Sequence, residues 1–257
     1  MTVTQDLLLY RMTDLSLIVA YRNRLGHLES LLNWFPEAQR RTAGAIELVI
    51  VESSILPTLD AEKLPPSVRY HHLVEEGPFN KSRILNEGLK IATGRFVTPF
   101  DVDLIPFALS FEKHLELART SPKLLITGFR LVTPFRTFVA GQLEEIQKSA
   151  SIARENLHEG FLRDQLLHGH RFGVIPFFDR QMLTDIEGWD EHYVGWGGED
   201  QDVIHRYLSN NRFLLTSPDL LYLHLEHDHV KDWNDGDLTR KNREYLYKKL
   251  NITPNIV

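Results

Sequence analysis

Continuous apolar runs alternate along this chain with segments whose apolar residues recur every three or four positions. Leu15–Tyr21 (LSLIVAY) and Ile46–Val51 (IELVIV) are apolar almost throughout, as strands buried on both faces must be, and Val68–Val74 is a weaker third run. Between and after them, His27–Phe35 and Lys81–Ala92 carry helical stripes, the second through Ile84, Leu85, Leu89 and Ile91 and ended by Thr93-Gly94. Arg95–Phe100 reads as a further strand running straight into Asp101. Farther on, Leu143–His168 has loose helical spacing, Phe172–Phe178 returns to strand character and Phe213–Leu223 is another apolar stretch. Glu199–Leu208 predicts a helix with acids in its first turn, and Thr239–Leu250 a terminal one. Strands of this kind separated by helices predict an α/β protein, a Rossmann-like fold whose central, mostly parallel sheet is flanked by helices. No repeat, low-complexity tract or linker interrupts the pattern, so the expectation is a single domain over residues 1–257.

Composition narrows the partners. The 257 residues are 42% hydrophobic, enough for a sizeable core, and the net charge of −6 argues against a broad basic face for nucleic acid. There is no cysteine, which removes disulfides, thiolate zinc sites and cysteine nucleophiles. The first residues lack the form of a signal peptide, and no run approaches the roughly 18–20 apolar residues of a membrane span. A cytoplasmic protein is expected, with peripheral membrane contact still open.

Candidate chemistry gathers in a few places. Asp101-Val102-Asp103 stands just past a strand, where open α/β sheets place their ligands, and such hard oxygens suit Mg²⁺ or Mn²⁺ shared with a substrate phosphate. On its own the pair reads as a solvated turn ending a strand, since two aspartates so spaced are common. His224, His227 and His229 fall within six residues and offer nitrogen ligands, although strand alternation cannot put His224 and His227 on one face without a bend at Glu226. In Gly195-Trp196-Gly197-Gly198-Glu199-Asp200 the glycines permit positive φ and Trp196 offers a flat face for a sugar. Glu199 or Asp200 is placed to act as a general base; the plain alternative is a glycine-rich helix start with Trp196 in the core. Arg22-Asn23-Arg24 after the first strand and Asn80-Lys81 at a helix start are basic groups suited to a diphosphate.

Taken in order, these pieces resemble the β-1,4-galactosyltransferase family, inverting glycosyltransferases of GT-A fold, in a bacterial-type form. The matching residues are Tyr21–Arg24 with His27-Leu28, Phe79–Gly88, Asp101–Pro106, and Gly188-Trp189 with Gly195–Asp200. The resemblance implies a donor-binding part over about 14–106, an acceptor-binding and catalytic part over about 107–230 and a C-terminal helix over about 239–250. It implies a UDP-sugar pocket lined by Tyr21, Arg22, Arg24, Asn80, Lys81, Asp101 and Asp103. It places Mn²⁺, with Mg²⁺ the alternative, on Asp103 with His224 or His227, His229 being the third choice. Trp196, Gly197, Gly198 and Glu199 would meet the acceptor, a glycan or glycolipid, and Asp200 would be the catalytic base beside Glu199. Galactose or N-acetylgalactosamine is the expected sugar. Arg171 stands where the family often has an aromatic, which leaves a glucuronic acid donor open. The competing readings are a nucleotidyl or phosphoryl transferase, which lacks a P-loop motif here, and an inactive carbohydrate-binding relative.

Overall fold

Leu15–Tyr21 forms strand β1, and its alternate side chains enter two different cores. Leu15, Leu17, Val19 and Tyr21 pack on one face, while Ile18 belongs to the other. A strand apolar on both faces must lie inside a sheet that is covered twice. The computed structural model describes residues 13–43, 45–139, 141–149, 151–152, 175–209, 211–228 and 236–251. In it β1 lies between β2 (Ile46–Ser54) and β4 (Phe96–Pro99), parallel to both. Strand β3 (Val68–Val74) adds parallel to β2, and a short β8 (Phe178–Asp179) closes the far side antiparallel to β4. The order is β3-β2-β1-β4-β8, a mostly parallel sheet as the apolar runs predict.

Helix α1 (Leu25–Arg41) covers the first face with Leu28, Leu31, Trp34, Phe35 and Ala38, one helical stripe. It continues past Pro36, whose missing N–H forfeits one backbone bond. Helix α2 (Lys81–Ile91) covers the second face through Ile84, Leu85 and Gly88. Its backbone sits so close to β1 that a Cβ at Gly88 would overlap Ile18 Cγ2.

A second sheet, β5-β9-β6-β7, stands beside the first. Strand β9 (Phe213–His224) runs parallel to β6 (Leu124–Val132) and antiparallel to β5 (Leu104–Pro106). Helix α3 (Ser110–Thr120) packs Phe111, His114 and Leu115 against it. The hydrophobic pattern had not revealed β5, β6 or α3.

Two expectations change. Helix α4 covers only Leu143–Ser149, and Ser151–Ile152 is strand β7, paired with Leu131–Val132; an open sheet edge wins over weak helical spacing. The rest of the expected helix, residues 153–168, lies outside the described residues. Of the expected strand Phe172–Phe178, residues 172–174 lie outside the described residues; among those described, Ile175 has φ of 55° and Pro176 cannot donate to a ladder, and pairing begins at Phe178. Helix α5 (Arg180–Asp185) follows, then α6 (Glu199–Leu208) and α7 (Gly236–Leu250), the last three residues longer at its start than its sequence predicts. Among the described residues no helix is long and apolar enough to cross a membrane.

Candidate functional site

The chain builds β1, β2 and β3 outward in one direction, then returns to lay β4 on the other side of β1. Connections diverge there, opening a crevice at the carboxyl ends of β1 and β4. Arg22–Arg24 leave β1 through a turn with Asn23 at φ 52°, and Asp101–Asp103 leave β4.

Asp103 is 4% exposed, and a carboxylate so buried needs partners. The antiparallel register sets Leu104 opposite His224, and Leu225 N–H donates to the Asp103 carbonyl at 2.9 Å. Strand β9 stops at His224, and Glu226 N–H donates to the Phe135 carbonyl at 2.8 Å. That departure is the bend the two histidines require. His227 Nε2 comes to 3.3 Å from Asp103 Oδ2, and His224 Nε2 to 3.7 Å from Asp103 Oδ1. One ligand atom from each of the three residues lies within 4.8 Å of the others. His27 Nε2 donates to the Glu226 carbonyl at 3.1 Å, and Arg136 makes a two-bond fork on Asp228 at 2.7 and 2.9 Å, so the turn is fixed from both sides.

Burial pushes the His224 imidazole below its usual range, against the pull of Asp103, and so favours the neutral form that ligates metals. Arg24 Nη1 pairs with Asp103 Oδ2 at 2.5 Å and Nη2 lies 3.4 Å from His227 Nδ1. Asp103 Oδ1 is buried without a hydrogen-bond partner among the described residues. An orphaned carboxylate oxygen beside two imidazoles fits a borderline divalent cation such as Mn²⁺.

The other acidic cluster lies across the crevice. Asn80 caps α2, its Oδ1 accepting from Arg83 N–H at 3.0 Å, so Lys81 stands in the first turn. Lys81 Nζ sits 3.0 Å from Asp101 Oδ1 and 3.8 Å from Asp200 Oδ2. These three and Arg130 line one pocket, with Pro99, Ile175, Pro176, Val203 and Ile204 as its apolar wall. Burial raises the Asp101 carboxyl, but Lys81 and Arg130 outweigh it and hold the group down at about 2. Lys81 is raised by Asp101 and Asp200 against the opposite pull of its own burial. Burial, reinforced by the charge of Asp200, pushes Glu199 up to about 7.

The run Gly195–Gly198 makes the turn into α6 with φ of 75° at Gly195, 105° at Gly197 and 96° at Gly198. A side chain at Gly198 would also come within 2.7 Å of Tyr193 Cε1. Gly195 N–H donates to the Phe79 carbonyl at 2.9 Å, and Gly197 N–H to Glu199 Oε2 at 3.0 Å. Trp196 is 54% exposed, not a core residue.

Arg24, Lys81, Asp101, Asp103, Asp200, His224 and His227 thus converge, with Glu199 beside them; Trp196 is exposed three residues before Glu199. Tyr21, Arg22 and Asn80 stand behind. Tyr21 is buried in the core, and Arg22 donates to the Ser53 carbonyl and hydroxyl, both at 2.6 Å, and to the Gly77 carbonyl at 2.7 Å. His229 and Arg171 lie outside the described residues. Sequence reading missed Arg130 and Arg136; the one charge inside the apolar run of β6 was the available signal for Arg130.

A family model described as the N-terminal domain of galactosyltransferase matches residues 166–228. The β-1,4-galactosyltransferase 4 of Homo sapiens is 24% identical over 192 residues, which cover 73% of this chain and 40% of that protein. The β-1,4-galactosyltransferase 1 of Bos taurus is 24% identical over 195 residues, 74% of this chain and 35% of that protein. The chain therefore spans well under half the length of these curated relatives. The catalytic domain of Drosophila β1,4-galactosyltransferase 7, solved with xylobiose, superposes with a TM-score of 0.51 at 18% identity, covering 89% of this chain and 80% of that one. Its fold is shared here.

Proposed function

We propose that this chain, which is similar to β-1,4-galactosyltransferases and shares the fold of one, is a metal-dependent inverting glycosyltransferase. It moves galactose or N-acetylgalactosamine from a UDP-sugar to a hydroxyl of a glycan or glycolipid. The observation that carries this reading is the meeting of Asp103, His224 and His227 just past the carboxyl end of β4, two residues on from Asp101 in the Asp101–Lys81–Asp200 chain of charges.

Asp103, His224 and His227 would hold the cation, and it would supply positive charge against the charge that grows on the departing UDP. Asp200 takes the proton of the acceptor hydroxyl; the freed oxygen bonds to the anomeric carbon as the bond to UDP breaks. One displacement from the opposite face inverts that carbon. Trp196 gives the acceptor ring an apolar face, and Glu199, protonated up to about pH 7, donates to a sugar oxygen. Lys81 keeps Asp101 and Asp200 from repelling each other and from binding the cation in competition with Asp103.

A panel of UDP-sugars with Mn²⁺ and oligosaccharide acceptors, read by UDP release and thermal shift, tests this. UDP-galactose or UDP-N-acetylgalactosamine turnover is expected. Preference for UDP-glucuronic acid moves the donor and keeps the mechanism; no response to any UDP-sugar overturns the proposal.

A further inference from the structure

Helix α7 lies outside the charge cluster, yet it holds the segment that carries Trp196 and Asp200. Asn242 is 5% exposed, and its single amide nitrogen donates to the Val194 carbonyl at 2.9 Å and to the Trp196 carbonyl at 3.2 Å. One helical turn on, Tyr245 Oη donates to Asp190 Oδ2 at 2.8 Å. Lys249 Nζ then bridges Asp190 Oδ2 at 2.6 Å and the fully buried Asp202 Oδ1 at 2.8 Å. The helix thus grips the segment before the glycines, at the glycines and after them.

The grip answers a physical need. Three glycines at positive φ lose more conformational freedom on ordering than other residues, so this loop does not keep its shape unaided. Trp196 is 54% exposed, so its own side chain is only partly covered. Its backbone carbonyl is held instead. Thr239 comes from the same helix: its methyl carbon lies 3.8 Å from where a Cβ on Gly197 would stand.

We propose that α7 is a clamp for the acceptor side of the site and that Asn242 is the positioning residue that sets Trp196 for the incoming sugar. This rests on the reading of the site given above, and its test separates the two. Asn242→Asp keeps the shape but puts a carboxylate where both carbonyls need a donor. Amide hydrogen exchange at Gly195 and Gly197 should speed by about tenfold or more, and the acceptor KM should rise by about tenfold while kcat falls much less. Asn242→Gln, which keeps the donor, should recover part of both. Tyr245→Phe should lower the melting temperature without moving exchange at Gly195 and Gly197, which separates the clamp from general loosening. Unchanged exchange in Asn242→Asp overturns the clamp, and so does faster exchange with an unchanged acceptor KM. If the unmodified chain turns over no UDP-sugar, the site reading falls and exchange alone decides for the clamp.

Discussion

Lys81 Nζ stands 3.8 Å from Asp200 Oδ2, and the same ammonium holds Asp101 at 3.0 Å. One largely covered cation therefore links the end of β4 to the first turn of α6, two places far apart in sequence. The two acidic clusters do not form one crowded cation site. Asp103 belongs to the histidines, Asp101 and Asp200 to Lys81.

Lys81→Met leaves Asp101 and Asp200 without their common counter-ion. Both carboxylates are partly exposed, so the loss is smaller than for a fully buried pair: about 1–3 kcal/mol. Urea midpoints read it, and Lys81→Arg should recover most of the loss. Equal stability in Lys81→Met and the unmodified chain would remove the linking role.

Glu199 sets a pH dependence. Its carboxyl is pushed up to about 7 in the folded chain, against an ordinary 4.5 when unfolded. The folded state thus keeps a proton that the unfolded state gives up, so its stabilising contribution is full below about pH 4.5 and is lost as pH rises through about 7. The swing is on the order of 1–3 kcal/mol. Glu199→Gln should flatten that part of the stability curve, measured by thermal melts from pH 4 to about 8. An unchanged slope contradicts the assignment.

The imidazole pair is tested by metal affinity rather than turnover. Asp103→Asn and His227→Ala should each weaken Mn²⁺ binding about 100-fold or more, read as free Mn²⁺ by electron paramagnetic resonance. Arg136→Ala, which removes the fork on Asp228 and loosens the histidine turn, should cost roughly tenfold. Full affinity in His227→Ala would strike it from the ligand set.

Gly198→Ala brings two penalties together, a positive φ of 96° and a Cβ 2.7 Å from Tyr193 Cε1. A loss of about 2–3 kcal/mol is expected in chemical denaturation. A loss under about 0.5 kcal/mol would mean the helix start relaxes freely.

How far the sequence reaches depends on what positions each residue. Asp101, Asp103, Lys81, Glu199 and Asp200 were legible because each lies at the end of a strand or the start of a helix whose own pattern is strong. The meeting of Asp103 with the histidines was only half legible. The break after His224 that lets His227 face Asp103 is held by Phe135 and Arg136, residues from a different part of the chain. Arg22 was read as a donor contact from its place after β1, yet it knits Ser53 and Gly77 together. Position shows in a sequence; the partner of a flexible cation does not. The second sheet was missed for a related reason, since β5 has three residues and takes its form from pairing with β9.

The division of labour between the two acidic clusters is tested most directly by Asp200→Asn, assayed for sugar transfer and, in the same preparation, for Mn²⁺ and UDP-sugar affinity. Loss of a general base predicts transfer slowed by about 10²–10⁴-fold with both affinities within about twofold of the unmodified chain. Undiminished transfer, or a matching collapse of Mn²⁺ affinity, would contradict it.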